Sequence, residues 1–322
     1  MKAVVQETYG SAGVLQLSDV EKPAIGSDDV LVRVRAAGVD RGVWHLMAGI
    51  PYLVRFMGFG LRKPKIRVPG MDLSGLVETA GSNVTRFQRG DEVFGVGIGT
   101  FAEYACARQD KIELKPSNLT FEEAAAVPVS GLAALQAVRD EGRVQPGQRV
   151  LIIGASGGVG TFAVQIAKAF EAEVTGVCST AKADLVKSIG ADHVIDYNRE
   201  DIVDGQRQYD VILDIGGNRS LSHLRRVLTP KGTLVIVGGE GGGRWFGLGR
   251  QLRAVLFSPF LHQKLRPQFP ATRTGDLQFL NGLIEAGRVR PVIDRTFSMN
   301  QVPEAIHYLE EGRARGKVVI TV

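Results

Sequence analysis

The sequence predicts an α/β protein in two parts, a β-rich first third and then a doubly wound parallel sheet. Three observations carry this. The first is a strand, glycine turn and helix in unbroken succession from Gly147 to Lys168. The second is a regular alternation of strand and helix patterns from Val150 to Val237. The third is a series of short alternating strands, punctuated by glycine turns, in the first third of the chain. Alternating β and α segments mean a parallel sheet wrapped by helices, whereas closely spaced short strands mean a compact barrel-like β domain.

In the first third, Val30–Ala36 alternates apolar and polar residues as a half-buried strand does. Leu73–Thr79 and Asp91–Val96 read the same way, with turns such as Gly81-Ser82-Asn83 between them. The period changes at Thr120, which with Glu123 three residues later forms a capping box, and helical character continues to about Arg143. The parallel strands are then expected at Val150–Ile153, Glu173–Cys178, His193–Asp196, Asp210–Asp214 and Thr233–Val237, with helices such as Ala183–Ile189 and Ser220–Leu228 between them. The tail reads as a helix (Gly275–Ala286), a strand (Val292–Phe297), a helix (Gln301–Glu311) and a last strand (Lys317–Val322). That last strand returns most easily to the first domain.

Bulk composition excludes several classes. The 322 residues are 44% hydrophobic and 23% charged, as in a globular protein. A net charge of +5 and a pI near 9.2 favour an anionic ligand but make no dense basic stripe, so no nucleic acid is expected. Cys106 and Cys178 lie far apart, which rules out a four-cysteine zinc site and a disulfide framework. The N-terminus enters a strand pattern without a signal-peptide pattern, so cytoplasmic residence is expected.

The stretch Gly154-Ala155-Ser156-Gly157-Gly158-Val159-Gly160 reads as a phosphate cradle. Glycines let the backbone approach a pyrophosphate, and the following helix offers unpaired N–H groups and a partial positive charge. A structural turn is the competing reading. At the end of the second strand, an NAD-preferring fold would carry a carboxylate roughly twenty residues past the glycine loop. Here Ser179, Thr180 and Lys182 stand instead, which suits a 2′-phosphate and favours NADPH over NADH. Gly216 and Gly217 after the fourth strand, and Gly238 and Gly239 after the fifth, sit at carboxyl ends of strands where ligands collect in open sheets.

On these residues the chain resembles the medium-chain dehydrogenase/reductase superfamily, in its zinc-free quinone oxidoreductase (zeta-crystallin-like) branch. The resemblance spans essentially the whole chain. Besides the glycine turn with Gln165 and Lys168, it rests on Val68-Pro69-Gly70-Met71-Asp72-Leu73-Ser74-Gly75, Arg89-Gly90-Asp91-Glu92-Val93 and Gly190-Ala191-Asp192-His193-Val194-Ile195-Asp196-Tyr197. It implies a GroES-like catalytic domain over 1–124, completed by 268–322, and a Rossmann domain over 125–267. It also implies a cleft between them for hydride transfer, and a homo-oligomer, dimer or tetramer. Zinc-dependent relatives carry metal ligands where this chain has Gly38-Val39-Asp40 and Gly70-Met71-Asp72, so no catalytic zinc is expected. A site without metal polarises its substrate by hydrogen bonds alone, which suits a quinone or an α,β-unsaturated ketone. The alternatives are alcohol dehydrogenase-type carbonyl and alcohol interconversion, or a crystallin-like, RNA-binding nucleotide binder with little turnover.

The resemblance also marks site residues. Asp40 stands where many relatives have asparagine; it can hydrogen-bond the substrate, or simply cap a helix starting at Arg41. Tyr52 is near a proton-donating tyrosine of enoyl reductase relatives, with a lid or core aromatic as the other reading. Trp44 offers a stacking wall, and His45 reads as a satisfied structural histidine. Tyr197 matches a tyrosine near the adenosine phosphate, and Lys317 a basic position approaching the cleft. Ala133 stands where relatives carry a threonine hydroxyl near the cofactor, and Ser130 is expected to compensate for it there. Two segments, 52–65 and 244–257, mix aromatic and basic residues. Three readings stand for them: an apolar mouth for a bulky enone, a peripheral membrane contact, or a subunit boundary.

Overall fold

The computed structural model describes the chain except residues 206, 239–248 and 259–260, and except the side chains at 57 and 257. The expected features at Gly239 and at 244–248 lie outside the described residues. The chain divides into two compact units. One comprises Met1–Leu132, Thr272–Ala286 and Pro291–Val322; the other comprises Ala133–Ala271 and Gly287–Arg290. The expected boundaries stood at 124/125 and 267/268.

The first unit opens with an antiparallel pair, β1 (Lys2–Val5) and β2 (Gln16–Asp19). Then follow β3 (Asp29–Val39), α1 (Arg41–Ala48), β4 (Asp72–Ala80), β5 (Glu92–Val96), β6 (Tyr104–Arg108) and β7 (Ile112–Leu114). The expected capping box is present. Thr120 Oγ1 accepts from the Glu123 N–H at 3.2 Å and Glu123 Oε2 accepts from the Thr120 N–H at 3.0 Å, starting α2 (Phe121–Ala125). Helix α3 (Pro128–Leu135) follows, and the division between the units falls within it.

The second unit runs β8 (Arg149–Ile153), α4 (Gly158–Ala169), β9 (Glu173–Cys178), α5 (Ala183–Ser188), β10 (His193–Asp196), β11 (Tyr209–Asp214), α6 (Leu221–Arg226), β12 (Leu228–Ile236), α7 (Gly249–Phe257) and β13 (Lys264–Pro267). Its strands are parallel in the order β10-β9-β8-β11-β12-β13. The order reverses at β8, so the carboxyl end of β8 is the topological switch point. Strands β8, β9 and β11 are buried along most of their length, as strands covered by helices on both faces must be. Strand β13 was not expected. It is four residues long, has one buried residue (Leu265) and ends in proline, which an edge strand tolerates because its outer N–H has no ladder partner.

The tail completes the first unit with α8 (Thr274–Glu285), β14 (Ile293–Ser298), α9 (Val302–Glu310) and β15 (Lys317–Thr321). The last strand returns as expected. It lies between β14 and β3 in the order β14-β15-β3-β4-β5-β7, with β6 also on β3. The eleven-residue β3 makes this possible. Its first half pairs with β6 from Asp29 to Arg33, and its last residues pair with β15 from Ala36 to Val39. Val30, Val32, Val34 and Val39 turn into a core shared with Leu73, Phe101, Val318 and Ile320.

Candidate active site

In the second unit, the chain leaves β8 through Gly154, whose φ of 85° suits glycine. The N–H groups of Gly154 and Ala155 both donate to Val177 O at 3.1 Å, and that of Gly157 to Gly154 O at 3.1 Å. The turn is thereby closed against β9. Gly160 then packs so tightly that a Cβ there would stand 2.1 Å from Gly154 O. Only glycine lets α4 start this close to the strand. The N-cap of α4 is Gly157, which brings no capping side chain. The first-turn amides of Gly158, Val159 and Gly160 therefore lack intrahelical acceptors, and the helix dipole adds positive potential.

Not every expected residue of this loop faces outward. Ala155 is fully buried, its side chain is directed at Gly176, and its N–H is used by Val177. Ser156 is also buried, so Gly157, Gly158 and Val159 present the surface of the turn. The ends of β11 and β12 approach the same place. A Cβ on Gly238 would lie 2.0 Å from Ile215 O, so this glycine is sterically required, whereas one on Gly216 would meet only an ordinary contact at 3.5 Å.

At the end of β9, Ser179 opens a short helical turn that holds Thr180 and Lys182. The β9–β10 register sets Asp196 beside Cys178, and the Thr180 hydroxyl donates to the Asp196 carboxylate. That hydrogen bond, together with the Asn198 N–H at 3.0 Å and Arg199 at 3.4 Å, holds Asp196 below the usual carboxylate range. The sequence along β9 alone does not display this carboxylate, because it arrives from the neighbouring strand. Tyr197 follows, exposed, with its N–H donating to Cys178 O at 3.1 Å.

The first unit holds a buried charged cluster on the face of β3, β4 and β15. Asp40 caps α1 as one of its two readings expected: Oδ1 accepts from the Val43 N–H at 3.1 Å. Its Oδ2 is buried and has no hydrogen-bond partner among the described residues. Asp72, fully buried, accepts from the Val129 N–H at 2.8 Å and from Lys317 Nζ at 3.1 Å. Lys317 also donates to Ser130 Oγ at 3.1 Å. Gly38 makes room for this contact, since a Cβ there would fall 2.6 Å from both Asp72 Oδ2 and Ala125 O. Burial drives the Asp72 carboxyl up to about 6, Lys317 pulls the other way, and nearby Asp40 adds to the rise. Lys317 and Ser130, expected on the cofactor side, are each 2% exposed or less and spend these contacts inside the unit. Their roles here are to tie the start of α3 to the sheet.

The aromatic candidates are less exposed to chemistry. Tyr52 is half-buried, with the Arg55 guanidinium 4.8 Å from its ring; the same guanidinium lies 4.4 Å from the ring of Tyr9. Trp44 packs on the core and donates its indole N–H to Glu310, which leaves it a structural residue rather than a stacking wall. His45 Nδ1 meets Ile50 O at 2.8 Å, the satisfied histidine expected.

These residues do not suit zinc. Both oxygens of Asp72 are occupied, one by an ammonium that would oppose a dication. Among the described residues no group of three His, Cys, Asp or Glu side chains converges. The glycine turn, by contrast, fits a dinucleotide pyrophosphate through its uncapped amides.

Comparison with known proteins accords with both units. Residues 26–117 match the family described as alcohol dehydrogenase GroES-like domain, and residues 189–320 the one described as zinc-binding dehydrogenase. The 2-methylene-furan-3-one reductase of Solanum lycopersicum is 35% identical over 99% of this chain and 79% of its own length. The chloroplastic NADPH-dependent alkenal/one oxidoreductase of Arabidopsis thaliana is 33% identical with the same coverage. The solved quinone oxidoreductase from Coxiella burnetii superposes with a TM-score of 0.87 at 28% identity, covering 100% of this chain and 99% of that one. With a GroES-like unit, a 3-2-1-4-5-6 Rossmann sheet and relatives of this kind, the chain belongs to the medium-chain dehydrogenase/reductase superfamily of oxidoreductases, among its quinone and enone oxidoreductases.

Proposed function

We propose that the protein is a zinc-independent reductase that uses NADPH to reduce a quinone or an α,β-unsaturated ketone. The observation that carries this reading is the Lys317 ammonium on Asp72, in the cluster where zinc-dependent relatives place metal ligands. It gives the site an internal cation and no open donor set. The names of the relatives, an alkenal/one oxidoreductase and a furanone reductase among them, support the substrate class.

A bound reduced nicotinamide supplies the hydride. The chain's own residues supply position and polarity. The amides of Gly158, Val159 and Gly160 take the pyrophosphate. Ser179, Thr180 and Lys182 address the 2′-phosphate, and Arg199 offsets the Asp196 charge beside them. Asp40, whose Oδ2 has no partner among the described residues, is the candidate acceptor toward substrate, and the Tyr52 hydroxyl is the candidate proton-side group. Neither cysteine serves as a nucleophile. Burial and Asp29 push the Cys106 thiol up to about 11, and burial raises that of Cys178.

The test is consumption of reduced coenzyme with a panel of quinones, enones and simple alcohols, before and after treatment with a strong chelator. Reduction of quinone or enone that survives chelation is the expected result; alcohol oxidation that chelator abolishes would overturn it. For the coenzyme, Lys182→Ala should raise the KM for NADPH about tenfold and leave that for NADH nearly unchanged. Equal effects on both would remove the 2′-phosphate assignment. A homo-oligomer in solution and cytoplasmic residence belong to the same proposal, the first checked by light scattering and the second by fractionation.

A further inference from the structure

Between Asp40 and Asp72 the chain carries six arginines and lysines and no carboxylate. The whole molecule has a net charge of only +5, so this stretch holds more positive charge than the entire chain. Three of the cations are engaged: Arg41 over Trp44, Arg55 over Tyr9 and Tyr52, and Arg67 with Glu7. Arg62, Lys63 and Lys65 are exposed and carry no partner among the described residues. Beside them Phe56 is 72% exposed, Leu61 59% and Ile66 40%.

The fold holds these side chains outward. The Tyr9 hydroxyl donates toward the carbonyls of Phe59 and Gly60 at 2.9 and 2.7 Å. The Lys65 N–H donates to Phe59 O at 2.9 Å, closing the turn. Gly60, at φ 110°, fits where a Cβ would stand 2.1 Å from Lys63 O. Pro64 is the buried residue of the turn, and the residues on either side of it point to solvent. A fixed loop that pairs exposed large apolar side chains with unneutralised cations matches the chemistry of an anionic bilayer surface, where the apolar groups enter the headgroup boundary and the cations meet lipid phosphate and carboxylate. A water-filled substrate mouth would not need the cations, and a protein partner would have to be strongly acidic.

We propose that residues 56–66 form a docking surface for an anionic lipid membrane. The surface would bring the enzyme to the phase in which a lipophilic quinone or enone dissolves. To that extent it deepens the proposed function, although lipid binding itself does not depend on turnover.

The experiment is sedimentation of the full chain with vesicles of phosphatidylcholine, alone or with one third phosphatidylserine, at low and high salt. Binding to the serine-containing vesicles, weakened by salt, is expected. Each neutralised cation is worth about fivefold, so the triple variant Arg62→Gln, Lys63→Gln, Lys65→Gln should bind about 100-fold more weakly. Phe56→Ser with Leu61→Ser should also release the protein at unchanged charge. Turnover of a small water-soluble quinone should stay as in the parent for both variants. Absence of vesicle binding by the folded parent overturns the proposal while leaving the reductase reading intact. Undiminished binding by the triple variant also overturns it. So does a change of oligomeric mass in Phe56→Ser/Leu61→Ser with vesicle binding retained, which would make the loop a subunit boundary.

Discussion

Asp72 and Lys317 show how much one pair of buried charges can decide. Taking a carboxylate and an ammonium out of water is costly, and their mutual attraction offsets this only with good geometry and further hydrogen bonds. Here the Val129 N–H and the Ser130 hydroxyl provide those bonds. Removing one partner strands the other, so Asp72→Asn or Lys317→Met alone should cost about 3–5 kcal/mol. The double variant should cost clearly less than the two together, measured by denaturant unfolding. The pH dependence has a definite sign. The Asp72 carboxyl titrates at about 6 in the fold against an ordinary 3.8. The folded state therefore binds the extra proton, and that contribution to stability is complete below 3.8 and is lost as pH rises to about 6. Unfolding midpoints of parent and double variant, compared across this window, should diverge in that direction; parallel curves would contradict it.

Single elements explain which parts of the sequence were readable. Strands β9 and β10 have the bounds their sequence predicts; for β9 the reason is that a short apolar run between turn residues is what a covered parallel strand looks like. The Thr120 capping box was equally plain, since it is written within four residues. Strand β13 was invisible because one buried leucine leaves no period to detect. In the glycine turn, local sequence predicts a tight strand-to-helix turn but not which residues line its surface. Gly160 is fixed by a backbone contact to Gly154 that no pattern displays. Gly160→Ala should therefore displace α4, lower stability by about 1–3 kcal/mol and abolish uptake of reduced coenzyme in calorimetry. Retention of full coenzyme affinity would show that the turn is not the cradle.

At the scale of the molecule, the strands of the first unit come from both ends of the chain. Strand β15 lies inside its sheet, between β14 and β3, and carries Lys317 into the charged cluster. Deleting Lys317–Val322 would expose the edge of β3 and leave Asp72 without its cation. The expected outcome is loss of soluble, cooperatively folding protein; a soluble, fully active truncation would argue against the central place of this strand.

The sequence by itself determined the two-part α/β class, the glycine turn and the cysteine-poor, histidine-poor first unit, because these depend on periodicity, turn chemistry and residue inventory over short stretches. Only the tertiary structure decided that Lys317 faces Asp72 across Gly38, that Asp196 arrives beside Thr180, and that Arg62, Lys63 and Lys65 stand unneutralised beside Phe56. Each of these joins residues that local pattern cannot connect. Their meeting depends on strand order, on where a side chain is missing, and on which charges the folded chain leaves unmatched.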